Sequence, residues 1–172
     1  MAHPPPLPIY PLAELAALRT EWRAAGLKVV LTNGVFDLLH IGHVNYLTAA
    51  RELGDRLIVA INSDESTQQL KGPLRPIVPA AERAAIIAAL RCVDAVTIFA
   101  ERTAEAVVAA LAPDVYVKGG DYGHGTAINE ARLPEARIAR ERGGEVRLLP
   151  FHDGHATTRL IERIVARYGS RG

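Results

Sequence analysis

Apolar residues along this chain alternate between helical spacing and short continuous runs. Leucines and a tryptophan recur at helical intervals over residues 11–25, which predicts an amphipathic helix that Gly26 ends. The β-branched run at 28–31 predicts a strand buried on both faces, broken by Asn33 and Gly34 because these residues readily adopt positive φ. Further elements are predicted as strand 56–62, helix 79–90, strand 95–99, helix 103–111, strand 115–118, helix from about 127 to 142, strand 145–149 and helix 157–168.

This alternation is typical of parallel strands joined by right-handed helical crossovers. It predicts an α/β fold: a single doubly wound, Rossmann-like domain with a five-stranded parallel sheet and helices on both faces. Residues 1–26 are predicted to form a Pro-rich segment and a helix, 27–168 the α/β domain and 169–172 a tail. Ligands of such sheets bind outside the carboxyl ends of the strands, where the winding reverses.

Composition excludes several classes of protein. The chain has 172 residues, is 49% hydrophobic, and carries a net charge of +1 with no cluster of five basic residues, which argues against a nucleic-acid partner. Its single cysteine, Cys92, excludes an internal disulfide. No apolar run approaches the roughly 18 residues that span a bilayer, and the start at Pro4 to Pro6 resembles no signal peptide. We therefore expect a soluble, cytoplasmic protein without a membrane partner.

The segment 31–43, LTNGVFDLLHIGH, joins the first strand to a turn and then to two histidines three residues apart. A helix is predicted from about Gly42 to Leu53, with His40 in its approach and His43 in its first turn. Both imidazoles would then face a ligand beside the helix N-terminus, whose N–H groups and dipole attract anions. Gly42 would allow the ligand to approach the backbone closely. The alternative is a pair of ordinary surface or core histidines.

Polar residues also follow other strands of the predicted sheet. Residues 62–64 and Lys71 come after the second strand, 118–121 after the fourth and 153–158 after the fifth, so these segments are expected to converge on one cleft. The chain contains no GxxxxGK[ST], no GxGxxG after its first strand, no CxxC and no HExxH. What remains is a nucleoside triphosphate held by histidines, lysines, backbone amides and Mg²⁺, with no tightly held metal ligated by the protein.

With HIGH at 40–43 after GVFD, the chain resembles the cytidylyltransferase-like nucleotidyltransferase superfamily, whose signature is HxGH. More narrowly, it resembles the adenylyltransferases that make ADP-heptose from D-glycero-β-D-manno-heptose 1-phosphate. The blocks that carry this second resemblance are TNGVFDLLHIGHVNYLTAARELGD, INSDEST, LKGPLRPIVPAAERAAIIAAL, VDAV, PDVYVKGGDY, GGEVRLLPF and DGHATTRLIERI. Some members of that family carry a fused sugar kinase, for which this chain has no room.

The resemblance implies an activity and three catalytic residues. AMP would pass from ATP to the sugar 1-phosphate with release of pyrophosphate and without a covalent protein intermediate. His40 and His43 would bind the α-phosphate and the leaving bridge, and Lys71, in a mobile Gly-Pro-containing loop, would close over the same phosphate. A solvated loop lysine is the alternative for Lys71.

The remaining site residues are assigned by the same resemblance and by their position after strands. Asp37 has either a phosphate-linked role through Mg²⁺ or a structural role in the turn, Arg83 either reaches a phosphate or forms a surface ion pair, and Thr157 and Thr158 either hold the triphosphate or cap the last helix. Acceptor binding is assigned to Asp64, Lys71 and Arg75. The full nucleotide-binding set is Thr32, Asn33, Gly34, Val35, Phe36, Asp37, His40, Gly42, His43, Arg83, Lys118, Gly119, Gly120, Asp121, Ala156, Thr157 and Thr158.

One departure from the family's pattern stands at Ala156, where relatives usually have serine before the two threonines. The loss of this hydroxyl, next to an unusual His155, predicts weakened or rearranged triphosphate binding rather than lost activity. Two alternatives stay open: transfer to another acceptor, such as CTP with glycerol 3-phosphate or ATP with FMN, and a nucleotide-binding module without turnover. The resemblance is compatible with a homodimer and with a separate sugar kinase in the same pathway.

Overall fold

Helices and strands alternate through the part of the chain that the computed structural model describes, residues 7–119, 123–124, 127–128, 132–149 and 157–169. No helix within these residues is both long and apolar enough to cross a bilayer. The strands are β1 (Val29–Gly34), β2 (Arg56–Asn62), β3 (Ala95–Phe99), β4 (Val115–Gly119), β5 (Gly123–His124), β6 (Ala127–Ile128) and β7 (Glu145–Leu149). The helices are α1 (Leu12–Ala24), α2 (Ile41–Arg51), α3 (Asp64–Lys71), α4 (Ala80–Ala88), α5 (Glu105–Leu111), α6 (Pro134–Glu141) and α7 (Thr157–Tyr168).

Five of these strands form one parallel sheet in the order β3-β2-β1-β4-β7. The chain winds outward from β1 through β2 to β3, then returns to the other side of β1 for β4 and β7. The winding therefore reverses between β1 and β4, where doubly wound sheets bind their ligands. The predicted fold class, a single α/β domain with a five-stranded parallel sheet, is confirmed.

The sheet buries an apolar core on each face because successive side chains of a strand point to opposite sides. On one side, which we name the α1-α5-α6 face, Leu31 and Tyr116 of the sheet pack with residues of those three helices. On the other, the α2-α4 face, Val30 and Val117 pack with residues of α2 and α4. Each fully buried side chain of leucine size contributes roughly 1.5–3 kcal/mol to folding.

The first strand is longer than predicted. Asn33 and Gly34 do not break it: they pair in register with Ala60 and Ile61 of β2. The positive φ falls two residues later, at Phe36, whose φ is 49°. The aromatic ring of Phe36 lies so close to Gly34 that a Cβ there would sit 3.0 Å from it, which accounts for the glycine.

Two helices differ from the prediction. The helix predicted from about 127 to 142 begins only at Pro134, and 127–128 instead form β6, paired with β5. Proline lacks an N–H and fixes φ, so it fits the first turn of a helix and not its interior. Helix α3 was not predicted; Ser63 starts it by accepting a hydrogen bond from the N–H of Ser66, at 3.1 Å.

Three aspartates tie the amino ends of the strands together. Each precedes a strand and exchanges two hydrogen bonds with the backbone of a neighbouring strand segment: its carboxylate accepts one N–H and its own N–H donates to the same residue. The pairs are Asp55 with Lys28, Asp94 with Leu57 and Asp114 with Val29. These contacts fix the register of β1, β2, β3 and β4 at the edge opposite the carboxyl ends.

Asp114 also pairs with the buried guanidinium of Arg19, at 3.0 Å, and so anchors α1 to the sheet. We expect Asp114→Ala to lower the free energy of unfolding by about 2–3 kcal/mol, because it leaves a buried charge and an N–H without an acceptor. Asp114→Asn also removes the charge that pairs with Arg19, but its oxygen still accepts from Val29, so it should cost less, about 1–2 kcal/mol. Urea unfolding measures both, and Asp55→Ala, at the exposed Lys28, is the control. Equal losses for the alanine and asparagine variants would contradict a contribution from the Val29 hydrogen bond, because both variants lose the Arg19 ion pair.

Candidate functional site

A cavity of about 530 Å³ opens at the carboxyl ends of the central strands, at the point where the winding reverses. This volume lies within the range of small-molecule sites, roughly 300–1,000 Å³. In the described part of the chain, its walls are formed by Asn33, Gly34, Val35, Phe36, Asp37, His40, His43, Tyr46, Asn62, Leu70, Lys71, Arg75, Arg102, Thr103, Lys118, Gly119, Arg132, Leu133, Pro134, Glu135, Thr157 and Thr158.

Two histidines stand at the start of α2, in the positions that the sequence predicts. His40 is the residue before the first helical one, with extended φ and ψ of −141° and 170°, and His43 lies in the first turn. Their rings stack with centroids 3.9 Å apart and planes at 23°, and the ring of Phe36 packs on His43 at 5.3 Å. The pair and the helix N-terminus therefore present nitrogen donors to the same region of the cavity.

The environment of His43 disfavours its protonated form. Burial, with a smaller contribution from the charge of His40, lowers its pKa from 6.5 to about 4. Its Nδ1 atom is buried and has no hydrogen-bond partner within the described residues. A buried polar atom without a partner costs free energy, and an anion beside the ring would favour the charged form that burial penalises.

Asp37 holds the segment after α3 in place. Its buried carboxylate accepts hydrogen bonds from the backbone N–H groups of Ile77 and Val78, at 2.9 Å each, and from Nε of Arg75. Burial raises its pKa, but the N–H groups of Val78 and Ile77 and the Arg75 guanidinium outweigh that effect, so the net pKa is lowered. The structure thus gives Asp37 structural contacts with the segment 75–78, and its role at a phosphate through Mg²⁺ stays a prediction.

Arg83 does not line the cavity. Its side chain is fully buried and donates from Nε to the carbonyl of Val78, from Nη1 to that of Val35 and from Nη2 to Asp64, at 2.6–2.8 Å. Arg83 is therefore bonded to the protein through all three nitrogens, and its ion pair with Asp64 is buried on the arginine side. A contact of Arg83 with a phosphate stays a prediction. The ion pair, with a further contact from the N–H of Ala80, keeps Asp64 out of the cavity wall.

Lys71 faces the cavity from the end of a helix rather than from a loop. It is the last residue of α3, and Gly72 follows with φ of 92°, a conformation that only glycine adopts readily. The predicted loop is thus wrong for Lys71 itself and begins one residue later. Arg75, assigned to acceptor binding, also lines the cavity, while its Nε remains bonded to Asp37.

The junction of β1 and β4 is closed by side chains. Oδ1 of Asn33 accepts hydrogen bonds from the Tyr116 hydroxyl at 2.6 Å and from Nζ of Lys118 at 2.8 Å, and Nζ also donates to the Asn33 carbonyl at 3.1 Å. Burial lowers the pKa of Lys118 to about 8; the charge of Glu135 opposes this shift and that of Lys71 adds to it. Lys71, Lys118 and Glu135 therefore share one electrostatic environment.

Most of the predicted site residues are brought together by the fold. The cavity wall includes Asn33, Gly34, Val35, Phe36, Asp37, His40, His43, Lys71, Arg75, Lys118, Gly119, Thr157 and Thr158. Thr32, Gly42, Asp64 and Arg83 are not in that wall: Thr32 shares a hydrogen bond with the Tyr46 hydroxyl, and Gly42 is buried in the first turn of α2. Gly120, Asp121 and Ala156 lie outside the described residues.

Several lining residues were not predicted. Arg102 and Thr103 follow β3, so the rule applied to the other strand ends would have found them. Arg132, Leu133, Pro134 and Glu135 were placed inside a predicted helix, and Pro134 was the available signal that the helix starts there. Asn62 was noted as following β2 without being assigned to the site. Tyr46 and Leu70 have no sequence signal that separates them from core residues.

The sequence matches the family model described as Cytidylyltransferase-like over residues 31–163, which include every residue of the cavity wall named above. The chain belongs to the cytidylyltransferase-like family. It is therefore a nucleotidyltransferase domain, and the matched residues include the HIGH segment at the start of α2.

Similar proteins narrow the relationship further. The Bifunctional protein HldE of Sodalis glossinidius is 49% identical over 149 residues, which cover 87% of this chain and 30% of that protein. HldE of Koribacter versatilis is 48% identical over 151 residues, 88% of this chain and 30% of that protein. A solved structure, the lipopolysaccharide core biosynthesis protein from Thermoplasma volcanium, is 32% identical with a TM-score of 0.58, covering 74% of this chain and 98% of that one. This chain thus spans about 30% of the length of the HldE proteins.

The pKa of His43 makes the stability of this cytidylyltransferase-like domain depend on pH. Between pH 6.5 and about 4, His43 is protonated in the unfolded chain and neutral in the folded chain. The free energy of unfolding therefore falls as the pH is lowered through this range, and His43 does not change it above pH 6.5. We expect the loss between pH 7 and pH 4.5 to be about 1–3 kcal/mol larger in the wild type than in His43→Asn. Urea unfolding of both proteins at the two pH values measures it, and parallel losses would contradict it.

Proposed function

We propose that this domain transfers AMP from ATP to a sugar 1-phosphate, D-glycero-D-manno-heptose 1-phosphate, and releases pyrophosphate and ADP-heptose. The observation that carries the proposal is the placement of His40, His43 and Lys71 on one cavity at the end of β1. Nitrogen donors from two helices, α2 and α3, suit a phosphate whose charge grows during the reaction. The cavity also has the volume that a nucleotide site requires.

The reaction passes directly from one substrate to the other and needs no covalent intermediate with the protein. An oxygen of the sugar 1-phosphate attacks the α-phosphorus of ATP, the new P–O bond forms, and the bond from that phosphorus to the bridging oxygen breaks with pyrophosphate as the leaving group. The protein's contribution is to align the two substrates and to stabilise the charge that develops on the phosphate oxygens. His40 and His43 would donate to those oxygens, and Lys71 would neutralise their charge.

The choice of a heptose rests on sequence. The blocks LKGPLRP and VKGGDY resemble those of the ADP-heptose synthases. The two HldE proteins are 48–49% identical to this chain over the 87–88% of it that aligns with them. The T. volcanium relative is named for lipopolysaccharide core biosynthesis. These similarities support a sugar phosphate over glycerol 3-phosphate or FMN as acceptor.

Magnesium would enter with ATP and offset the charge of the triphosphate when bound. The described residues fit this role better than that of a separate metal centre. Among them no three His, Cys, Asp or Glu side chains come together, Asp37 is already bonded to Arg75 and two N–H groups, and Glu135 accepts from the N–H of Ala104 at 2.9 Å. Phosphate oxygens and water are therefore the expected ligands of the ion.

Release of pyrophosphate tests the activity directly. With ATP, Mg²⁺ and heptose 1-phosphate we expect turnover, and with CTP, GTP or UTP much less. A panel of acceptors that includes glycerol 3-phosphate and FMN separates the proposal from the alternatives of the same superfamily. The proposal fails if heptose 1-phosphate yields no pyrophosphate while another acceptor does, or if ATP binds and no acceptor reacts.

The roles of the cavity's nitrogen donors are tested by substitution. We expect His43→Asn and Lys71→Met to lower kcat by about 10²–10³-fold, as loss of one donor to a developing charge does. Lys28→Met is the matched control, because Lys28 is an exposed lysine before β1, at the far edge of the sheet. Circular dichroism checks that each variant is folded, and a folded Lys71→Met with wild-type kcat would remove Lys71 from the mechanism.

A further inference from the structure

The edge of the sheet divides the cavity into two sides. Alternate residues of a strand point to opposite faces of the sheet. A residue two positions after a core residue therefore points to the same face as that core residue. Leu31 belongs to the core of the α1-α5-α6 face, and Asn33 lies two residues further along β1. Lys118 follows Tyr116 in the same way on β4, and its bond to Asn33 agrees with this placement.

The histidines lie on the other side. Phe36, which packs on the ring of His43, belongs to the core of the α2-α4 face, as do the buried residues of α2 itself. The phosphate donors His40 and His43 and the helix N-terminus are therefore grouped on that face. The phosphate chemistry derived above assigns no role to the residues of β4 and α6.

The α1-α5-α6 side of the cavity carries fixed polar groups of both signs. Glu135, in the first turn of α6, is 5% exposed and is held by the N–H of Ala104 at 2.9 Å, and its charge acts on Lys118. Asn62 ends β2 on the same face, two residues after Ala60, and its amide donates to Ser66 Oγ at 2.9 Å. The Ser66 hydroxyl in turn donates to the carbonyl of Glu101 at 2.7 Å, which fixes the orientation of the Asn62 carboxamide.

These groups match a ligand rich in hydroxyls better than a phosphate or a base. A phosphate offers only acceptors and would be repelled by the Glu135 carboxylate, whereas a hydroxyl both donates and accepts. Glu135 supplies a charged acceptor, Lys118 a donor and Asn62 a carboxamide, while Arg102 extends the wall toward solvent. Each buried polar group of such a site rejects a ligand that leaves it without a partner, so the arrangement gives specificity as well as affinity.

We propose that the sugar ring of the acceptor binds on the α1-α5-α6 side of the sheet edge, with Glu135 and Arg102 as specificity-determining residues for its hydroxyl groups. The acceptor then approaches the α-phosphate from the face opposite to His40 and His43, across the junction of Asn33 and Lys118. This inference rests on the proposed function and adds where and by which residues the sugar is recognised.

Steady-state kinetics with each substrate varied separately tests the proposal. Glu135→Gln keeps an oxygen that accepts from Ala104 and removes the charge, and Arg102→Ala changes an exposed residue, so both variants are expected to fold. We expect each to raise KM for heptose 1-phosphate about tenfold or more, as loss of a charge-assisted hydrogen bond does, and to change KM for ATP less than about twofold. Arg137→Ala is the matched control on the same helix, because Arg137 is exposed and pairs only with Glu141 in the described structure.

The outcomes separate this inference from the proposed function. If the wild type turns over heptose 1-phosphate and the variants raise KM for ATP instead, the nucleoside occupies this side and the inference is wrong. It is also wrong if neither KM changes in folded Glu135→Gln and Arg102→Ala. If the wild type releases no pyrophosphate with any sugar 1-phosphate, the proposed function fails and the inference falls with it.

Discussion

The contact between β1 and β4 is the constraint on which the rest of this molecule depends. At this junction the direction of winding reverses. The helices that follow β1 and β4 therefore pack on opposite faces of the sheet, and a cleft opens between them. Val30, Leu31 and Thr32 pair with Val115, Tyr116 and Val117, and the bonds of Tyr116 and Lys118 to Asn33 extend this pairing beyond the backbone. Loss of that register would separate the histidines from the lysines.

Strand alternation then distributes chemistry over the two faces. The same periodicity that buries Leu31 on one side and Val30 on the other decides which late strand residues reach which half of the cavity. In the proposed reaction, donors for a developing phosphate charge are grouped beside α2, and mixed polar groups are grouped beside α6. A reaction between two phosphates needs an arrangement of this kind, because the two anionic substrates must be held apart everywhere except at the reacting atoms.

Structure was predicted correctly from the sequence where a local pattern of residues determines it. Buried parallel strands form continuous apolar runs in the sequence, so β2 and β3 were predicted with their observed bounds, and polar residues after strands located the cavity. The edge strand β7, whose residues are partly exposed, was also predicted with its observed bounds. Contacts between residues distant in sequence could not be predicted in this way. The bonds of Asp37 to Ile77 and of Arg83 to Val35 span some forty residues and leave no local trace, and the positive φ of Phe36 occurs in a residue that rarely adopts it.

The aspartates at the amino ends of the strands have a consequence for how such a domain changes over time. Asp55, Asp94 and Asp114 hold neighbouring strands in register from the edge farthest from the cavity. Substitution of an exposed cavity residue such as Arg102 leaves those contacts intact. The residues that hold the strands in register and the residues that line the cavity are therefore separate, so evolution can change the lining of the cavity while the sheet keeps its register.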